Sequence, residues 1–312
     1  MVQKHVTQLL SHRLRGFGPR ESSAANLEEA LRRGVRIIEV DTRVTHDGII
    51  VVHHAPTLQQ GPLRGRLISQ LSWEEIETSR RDTSRGAATD LMTLTELAGQ
   101  IKASGDVELW VDIKDFGAEA EHVHVLEEHE LIERSRVISW LPQSVLAVHR
   151  ARSGVRIGFS YCCTQRKAPL YRLLASLIRL LGREGRALTH LSSTKWWGEA
   201  ARLVLHTRQG ASSLTAPLAP GTERGYNHAH LIAGLPAEPL LSALASDRGA
   251  IGMFPGQATH GIVRQAHEAG LEVYVYCIDD DRQLYGYLKD RPVDIVFTNS
   301  ESLICQVPEV AT

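Results

Sequence analysis

The sequence predicts an α/β protein in which parallel strands alternate with helices, and a (β/α)8 TIM barrel is the leading architecture. Short apolar runs rich in Val and Ile alternate with amphipathic stretches along most of the 312 residues. This alternation is typical of parallel strands joined by crossover helices. Ionisable residues follow several of the apolar runs, at the strand ends where barrel enzymes carry their chemistry. An open doubly wound sheet is the alternative, although the chain has no glycine-rich dinucleotide fingerprint.

The composition narrows the class of protein. Hydrophobic residues make up 43% and charged residues 23%, as expected for a soluble globular protein. The formal net charge of −1 leaves no broad basic surface for nucleic acid. No apolar run approaches the roughly 18 residues of a membrane span, and the N-terminus lacks the apolar core of a secretory signal. We therefore expect a cytoplasmic protein without stable membrane insertion, and the sequence leaves its oligomeric state open.

The first part of the chain predicts three strands and one helix. Apolar residues dominate 6–11, 35–40 and 49–53, which are the predicted strands. Between the first two, Ser22 or Ser23 can cap a helix over 22–33 that Gly34 ends. Asp47-Gly48, between the second and third strands, is a strong signal for a hairpin turn.

The rest of the chain continues the alternation with two interruptions. Further strands are predicted at 108–113, 136–140, 155–161, 252–253, 271–278 and 293–298, and helices at 93–103, 118–130, 143–151, 169–181, 261–269 and 281–289. Residues 55–90 are irregular apart from a short helix at Trp73, and 182–239 shows no clear alternation. We expect one domain over 1–312, with a small insertion at 55–92 and an extended insertion at 165–239 that is a candidate lid.

Candidate functional side chains gather at the predicted strand ends. These side chains are His12, Glu39, Asp41, His54, Asp112 and Lys114. Residues two apart in a strand project from the same face, so Glu39 and Asp41 project together. Carboxylate oxygens are the ligands that hard divalent cations prefer, and imidazoles titrate near neutral pH. The pattern therefore predicts a metal ion and an acid–base group in one mouth. By alternation His53 faces away from His54, and we expect it to pack.

These residues lie within motifs that resemble the glycerophosphodiester phosphodiesterase superfamily. The matching motifs are His12-Arg13, a loose Pro19-Arg20-Glu21, Glu39-x-Asp41, His46-Asp47-Gly48, His54-Ala55-Pro56-Thr57-Leu58, Asp112-x-Lys114, Tyr276-Cys277-Ile278-Asp279-Asp280, and Val293-Asp294 with Thr298-Asn299. They occur in the family's order and cover both ends of the chain. No single motif is specific, but the set is.

The resemblance implies a metal-dependent phosphodiesterase on a TIM barrel that acts on a small-molecule phosphodiester. It implies one divalent cation, Mg²⁺ or Ca²⁺. The implied residues are Glu39, Asp41 and Asp112 for the cation, His12 and His54 for proton transfer, and Arg13, Lys114 and Tyr276 for the phosphate and substrate. In the family the attacking oxygen is often a neighbouring hydroxyl of the substrate, which forms a cyclic phosphate first.

Four departures from the family pattern leave the substrate open. Asp112 stands where the phosphodiesterases usually have Glu, which is similar to the related sphingomyelinase D enzymes. Ala55 follows the second histidine in place of Asp, Asn299 stands where Asp is usual, and 165–239 exceeds the usual connection. A sugar phosphodiester of the agrocinopine type would fit such a divergent site. The alternatives are a sphingomyelinase D-like lyase that forms a cyclic phosphate and a non-catalytic barrel that binds a phosphodiester.

Overall fold

The structure is a computed structural model that describes residues 6–81, 91–152, 154–160, 235–236, 238–255, 258–289, 292–306 and 309–311. The strands in these ranges are β1 (Val6–His12), β2 (Ile37–Val44), β3 (Ile50–Val52), β4 (Glu108–Ile113), β5 (Ser135–Ser139), β6 (Arg156–Ser160), β7 (Ala250–Met253), β8 (Glu272–Tyr276), β9 (Ile295–Thr298) and β10 (Glu309–Ala311). The α-helices there are α1 (Ala24–Arg32), α2 (Trp73–Arg81), α3 (Leu94–Ala103), α4 (Glu119–Glu128), α5 (Pro142–Ala151), α6 (Leu240–Ser246), α7 (His260–Glu268), α8 (Asp281–Leu288) and α9 (Glu301–Gln306). None of the helices in these ranges is long and apolar enough to cross a membrane.

Eight of the strands form a closed parallel barrel. Their order around the ring is β1, β2, β4, β5, β6, β7, β8 and β9, and β9 pairs with β1 again. β3 pairs antiparallel with β2, and β10 pairs antiparallel with β1. The predicted TIM barrel is therefore confirmed. The open-sheet alternative is wrong because β1 has a parallel neighbour on both sides.

β2 extends further than the sequence predicts. The prediction ends this strand at residue 40, whereas the strand runs to Val44. The extra residues belong to the predicted hairpin, in which Thr42 pairs with Val52 and Val44 pairs with Ile50. Glu39 and Asp41 consequently lie within the strand, where paired neighbours on both sides hold their backbone.

Capping side chains determine where several helices begin. Ser23 accepts a hydrogen bond from the backbone of Asn26 at the start of α1, as one of the two predicted caps. Thr93 and Glu96 form a reciprocal capping box at the start of α3. Such caps satisfy backbone N–H groups that have no partner within the helix. Local sequence therefore accounts for these boundaries.

The two predicted insertions differ in how much of them the structure describes. Residues 55–81 and 91–92 pack beside the barrel around an apolar cluster of their own. Its buried members are Val51, Leu58, Ile68, Leu71, Ile76 and Leu91. Of the segment 165–239, the described ranges contain only 235–236 and 238–239, so the predicted helix at 169–181 and the candidate lid lie outside the described residues.

Aromatic rings fill the barrel below its mouth. Trp110 meets Tyr274 edge to face with ring centroids 5.3 Å apart, and Tyr274 stacks on Phe297 at 5.2 Å. The Tyr274 hydroxyl is 2.7 Å from Ser160 Oγ. Gly252 on β7 makes room for the Tyr274 ring, since a Cβ at this position would overlap it. The barrel interior is therefore a packed floor beneath the polar mouth.

The close contact at Gly252 predicts a large cost for adding one methyl group. We expect Gly252→Ala to lower the free energy of unfolding by about 1–3 kcal/mol, because the Tyr274 ring must leave its place. Gly286 on α8 is the matched control, since nothing lies within 4 Å of a Cβ built there. Gly286→Ala should stabilise the protein by up to about 1 kcal/mol. Urea unfolding measures both, and equal stabilities would contradict the packing described.

Candidate active site

The inner face of β2 carries a run of polar side chains at the mouth of the barrel. Ile37, Glu39, Asp41 and Arg43 alternate along the strand, so they share one face. Ile37 packs in the interior cluster with Trp110, which identifies this face as the inner one. The barrel therefore directs both predicted metal ligands of β2 inward.

Register brings the three predicted carboxylates together. Asp41 lies opposite Asp112 on the neighbouring strand β4, and Glu39 lies opposite His12 on β1. Oxygen atoms of Glu39, Asp41 and Asp112 lie within 4.8 Å of one another, and all three residues are buried. Burial, and then the charge of Asp41, raises the pKa of the Glu39 carboxyl well above its usual range. Three carboxylates at this distance destabilise one another unless a cation lies between them.

Two cationic side chains offset part of this negative charge. Lys114 Nζ lies 2.8 Å from Asp41 Oδ1 and 2.5 Å from Asp112 Oδ2. Arg13 Nε lies 2.7 Å from Asp41 Oδ2. Burial alone would raise the pKa of Asp41, but Lys114 and then Arg13 outweigh it and lower that pKa. When every side chain of this cluster is ionised, the two cations do not neutralise the three carboxylates, so the cluster stays negatively charged.

The donor atoms of the site fit a hard divalent cation. Oδ1 of Asp112 is buried and has no hydrogen-bond partner of good geometry, whereas the two Asp41 oxygens contact Lys114 and Arg13. Buried polar atoms without partners are rare and are explained by a bound ion or water. Carboxylate oxygens are the ligands that Mg²⁺ and Ca²⁺ prefer. The residues present therefore fit the metal that the resemblance implies.

His12 is held at the edge of this carboxylate cluster. Its Nδ1 lies 2.9 Å from Asn299 Oδ1 and 3.2 Å from Cys277 Sγ. Its Nε2 lies on the other side of the ring, 3.9 Å from Glu39 Oε2. Burial, and then the charge of Arg13, lowers the pKa of His12 to about 3. The imidazole is therefore neutral near pH 7.

His54 is positioned by a buried ion pair that sequence reasoning missed. The His54 carbonyl accepts hydrogen bonds from Arg43 Nε at 3.1 Å and Nη2 at 2.9 Å. Arg43 Nη1 also pairs with Asp115 Oδ1 at 2.6 Å, and Asp115 Oδ2 accepts from the Val44 backbone at 3.0 Å. Arg43 continues the two-residue spacing of Glu39 and Asp41, and this spacing was the available signal.

His53 faces a separate cavity of about 360 Å³ beside the mouth. The cavity is lined by Arg15, Gly16, Gly18, Pro19, Arg20, Glu21, His53, Leu58, Gln59, Gln60 and Leu91. His53 Nε2 donates to the Thr57 carbonyl at 3.1 Å, and burial lowers the pKa of His53 to about 4. Glu21 in the cavity wall lies 4.0 Å from Arg13 Nη1, so Arg13 connects the cavity wall with Asp41 of the carboxylate cluster.

Aromatic side chains occupy the opposite part of the mouth. Tyr276 ends β8 and meets Phe254 edge to face at 4.9 Å. Phe254 follows β7 and is 42% exposed. Trp140 follows β5, and its buried Nε1 has no hydrogen-bond partner of good geometry. The mouth thus has a charged part on β1, β2 and β4 and an aromatic part on β5, β7 and β8.

All eight predicted site residues lie at this end of the barrel, and their assigned roles stay predictions. Phe254, Trp140, Arg43, Asp115, Cys277 and Asp279 are further side chains at this end that the sequence-based assignment did not include. Single aromatic residues and acids after predicted strands are too common in a sequence to be singled out. Cys277 and Asp279 lie in a matched motif without an assigned role, and the fold rather than a motif brings the other four to this end.

Comparison with known proteins finds a similar family over the first half of the chain. The sequence profile of the glycerophosphoryl diester phosphodiesterase family matches residues 10–153. This range contains His12, His54 and the three carboxylates. A probable glycerophosphodiester phosphodiesterase 2 from Mycobacterium tuberculosis is 31% identical over 106 residues, which are 34% of this chain. The matched part spans 38% of that relative's length.

Solved structures agree with this fold over nearly the whole chain. A putative glycerophosphodiester phosphodiesterase from Galdieria sulphuraria superposes with a TM-score of 0.61 at 16% identity, covering 95% of each chain. A putative glycerophosphoryl diester phosphodiesterase from Agrobacterium tumefaciens gives 0.58 at 20% identity, covering 97% of each. A phosphodiesterase from Oleispira antarctica, in complex with the product sn-glycerol-3-phosphate, gives 0.59 at 16% identity, covering 96% of each. The profile match over residues 10–153 makes this part of the chain similar to the glycerophosphoryl diester phosphodiesterase family, and the solved structures share its fold.

Proposed function

We propose that this protein is a metal-dependent phosphodiesterase that hydrolyses a small phosphodiester with a glycerol- or sugar-type alcohol. The observation that carries the proposal is the buried triad, whose carboxylate oxygens lie within 4.8 Å of one another. Asp112 Oδ1 is buried without a hydrogen-bond partner, since Lys114 pairs with Oδ2. Each Asp41 oxygen contacts one cationic nitrogen and keeps a second lone pair for a metal ion.

Glu39, Asp41 and Asp112 would hold one divalent cation, Mg²⁺ or Ca²⁺, which supplies charge neutralisation for the phosphodiester and its transition state. Lys114 and Arg13 keep Asp41 ionised, and so keep it a ligand. Their remaining N–H groups can bind phosphate oxygens at the same mouth.

The two histidines provide the proton transfers. One imidazole takes the proton from the attacking oxygen while the other gives a proton to the departing alcohol oxygen. When the attacking oxygen is a neighbouring hydroxyl of the substrate, a P–O bond forms to it and the bond to the alcohol breaks, which gives a cyclic phosphate. Water then opens the ring, and the histidines exchange roles. His12 Nε2 lies 3.9 Å from Glu39 Oε2, and His54 is buried just after β3 at the same end of the barrel.

Two features next to the site favour a substrate whose alcohol group carries further hydroxyls. The cavity beyond Arg13 offers Arg, Glu and Gln side chains, which can donate to and accept from hydroxyl groups. Across the mouth, Tyr276 and Phe254 present aromatic surface on which an apolar sugar face can pack. Either glycerol or a sugar meets these requirements.

Phosphorus NMR of reactions with glycerol, sugar and sphingolipid phosphodiesters, with and without Mg²⁺ or Ca²⁺, tests the proposed function. We expect metal-dependent formation of a phosphomonoester from the glycerol or sugar diester. A cyclic phosphate that persists would instead identify a lyase of the sphingomyelinase D kind. Binding without turnover of any substrate would identify a non-catalytic phosphodiester-binding barrel.

Removing one carboxylate should weaken metal binding while it stabilises the metal-free fold. Glu39→Gln keeps an acceptor for the backbone N–H of Arg13, which donates to Glu39 Oε2 at 3.2 Å. We expect this variant to unfold at a higher temperature than the metal-free wild type, because the like-charge repulsion is relieved. Calorimetric titration should show metal affinity reduced at least tenfold. Asp112→Ala should also lose metal affinity, and unchanged affinity would remove the residue from the ligand set.

The two adjacent histidines provide a matched pair of variants. We expect His54→Ala to lower kcat by roughly 10²–10⁴-fold, the range for losing a general acid or base. His53→Ala should retain most of the activity, because His53 faces the cavity and bonds to the Thr57 carbonyl. The readout is turnover under saturating metal. Equal losses in both variants would contradict the orientation of this segment.

One side chain of the cavity wall is predicted to affect only the binding of the substrate's alcohol group. Gln60 lines the cavity, and we expect Gln60→Ala to raise KM several-fold for a sugar phosphodiester without changing kcat. Gln100→Ala is the matched control, because Gln100 is an exposed residue of α3. Steady-state kinetics on a sugar diester and on a glycerol diester provide the comparison. An unchanged KM for both substrates would exclude the cavity from substrate binding.

A further inference from the structure

We propose that Asp279 and Asn299 are positioning residues that hold His12 in a single tautomer, with its proton on Nδ1 and its lone pair on Nε2. This inference rests on the proposed function and assigns His12 the role of the base that accepts the proton of the attacking oxygen. Neither Asp279 nor Asn299 need contact the substrate for this role.

Asp279 fixes the orientation of the Asn299 amide. Its Oδ2 accepts from Asn299 Nδ2 at 2.8 Å, and its Oδ1 accepts from the Asn299 backbone N–H at 2.6 Å. Thr298 Oγ1 also donates to Oδ1, at 3.2 Å. A carboxylate only accepts hydrogen bonds, so it must face the amide nitrogen. The amide oxygen is thereby turned away from Asp279.

The fixed amide then determines the tautomer of His12. Asn299 Oδ1 faces His12 Nδ1 at 2.9 Å, and an amide oxygen can only accept. His12 Nδ1 must therefore carry the proton, which leaves the lone pair of the neutral ring on Nε2. Nε2 is the ring nitrogen on the side of Glu39, where the proposed reaction takes place. An orienting partner of this kind determines which nitrogen of a histidine acts as the base.

Cys277 is the competing partner of the same nitrogen. Its Sγ lies 3.2 Å from His12 Nδ1, and a thiol could donate to Nδ1 in the opposite tautomer. That tautomer would place the lone pair of Nδ1 against the lone pairs of the Asn299 oxygen. A thiol is a weak donor, so the amide contact prevails, and the sulfur remains a weak acceptor beside the N–H.

The pair requires one carboxylate and one amide. Asp at position 299 would face the Asp279 carboxylate at hydrogen-bond distance, and two such carboxylates repel or share a proton. Asn at position 279 would no longer fix the orientation of the Asn299 amide. An amide both donates and accepts, so the two side chains could pair with the Asn299 amide in either orientation. Exchanging the two residues retains one acceptor-only group and one amide, and an oxygen still faces His12.

The tautomer is measured directly by nitrogen-15 NMR of the metal-free protein, with the His12 signals identified by their absence from His12→Gln. We expect the wild type to show a protonated Nδ1 and an unprotonated Nε2. Asp279→Asn should show a mixture of tautomers, and the matched control Asp281→Asn, at an exposed residue of α8, should keep the wild-type pattern. Cys277→Ala should also keep it. A wild-type pattern in Asp279→Asn, or an Nε2-protonated wild type, would overturn the inference.

Kinetics test the functional part of the inference. Asp279→Asn and Asn299→Asp should each lower kcat by roughly 10–100-fold with little change in KM, the scale expected for partners that orient a working group. The exchanged variant Asp279→Asn with Asn299→Asp should recover most of the loss. A double variant no better than either single one would contradict the positioning role. If the wild type turns over no phosphodiester, the proposed function fails, while the NMR result still decides the tautomer.

Discussion

The burial of three carboxylates at one point of the barrel mouth is the constraint on which the rest of the site depends. Removing an ion from water costs several kcal/mol even after the protein relaxes, and Glu39, Asp41 and Asp112 share a single buried position. Lys114 and Arg13 reduce the cost by holding Asp41 ionised. These two cations do not neutralise all three carboxylates, and a divalent cation would supply the missing positive charge. The proposed affinity for a metal would therefore follow from the charge of this cluster.

The closed barrel is what makes such a cluster attainable. Pairing of β1 with β2 places His12 opposite Glu39, and pairing of β2 with β4 places Asp41 opposite Asp112. Hydrogen bonds on both sides of β2 keep these side chains from moving apart in response to their repulsion. Below them, the packed rings of Trp110, Tyr274 and Phe297 fill the interior, so the carboxylates lie above a closed hydrophobic layer.

One departure from the family pattern is explained by a neighbour in space. Asn299 stands where the motif usually has Asp, and its amide nitrogen donates to the Asp279 carboxylate at 2.8 Å. Along the chain alone, Asn299 is only the loss of an acid beside His12. The contact shows that a carboxylate is still present, one residue further from the imidazole.

The sequence by itself determined the alternation of strands and helices, the same-face spacing of Glu39 with Asp41, and the motif set from His12 to Lys114. These features are local, because the period of a strand and the chemistry of a cap or turn depend on adjacent residues. Only the tertiary structure decided that β2 continues to Val44, that Arg43 and Asp115 hold His54, and that Asp279 reaches His12 through Asn299. The extension of β2 comes from its hairpin with β3. The contacts of Arg43 with Asp115 and of His12 with Asn299 join residues far apart in the chain, which the ring of strands brings together.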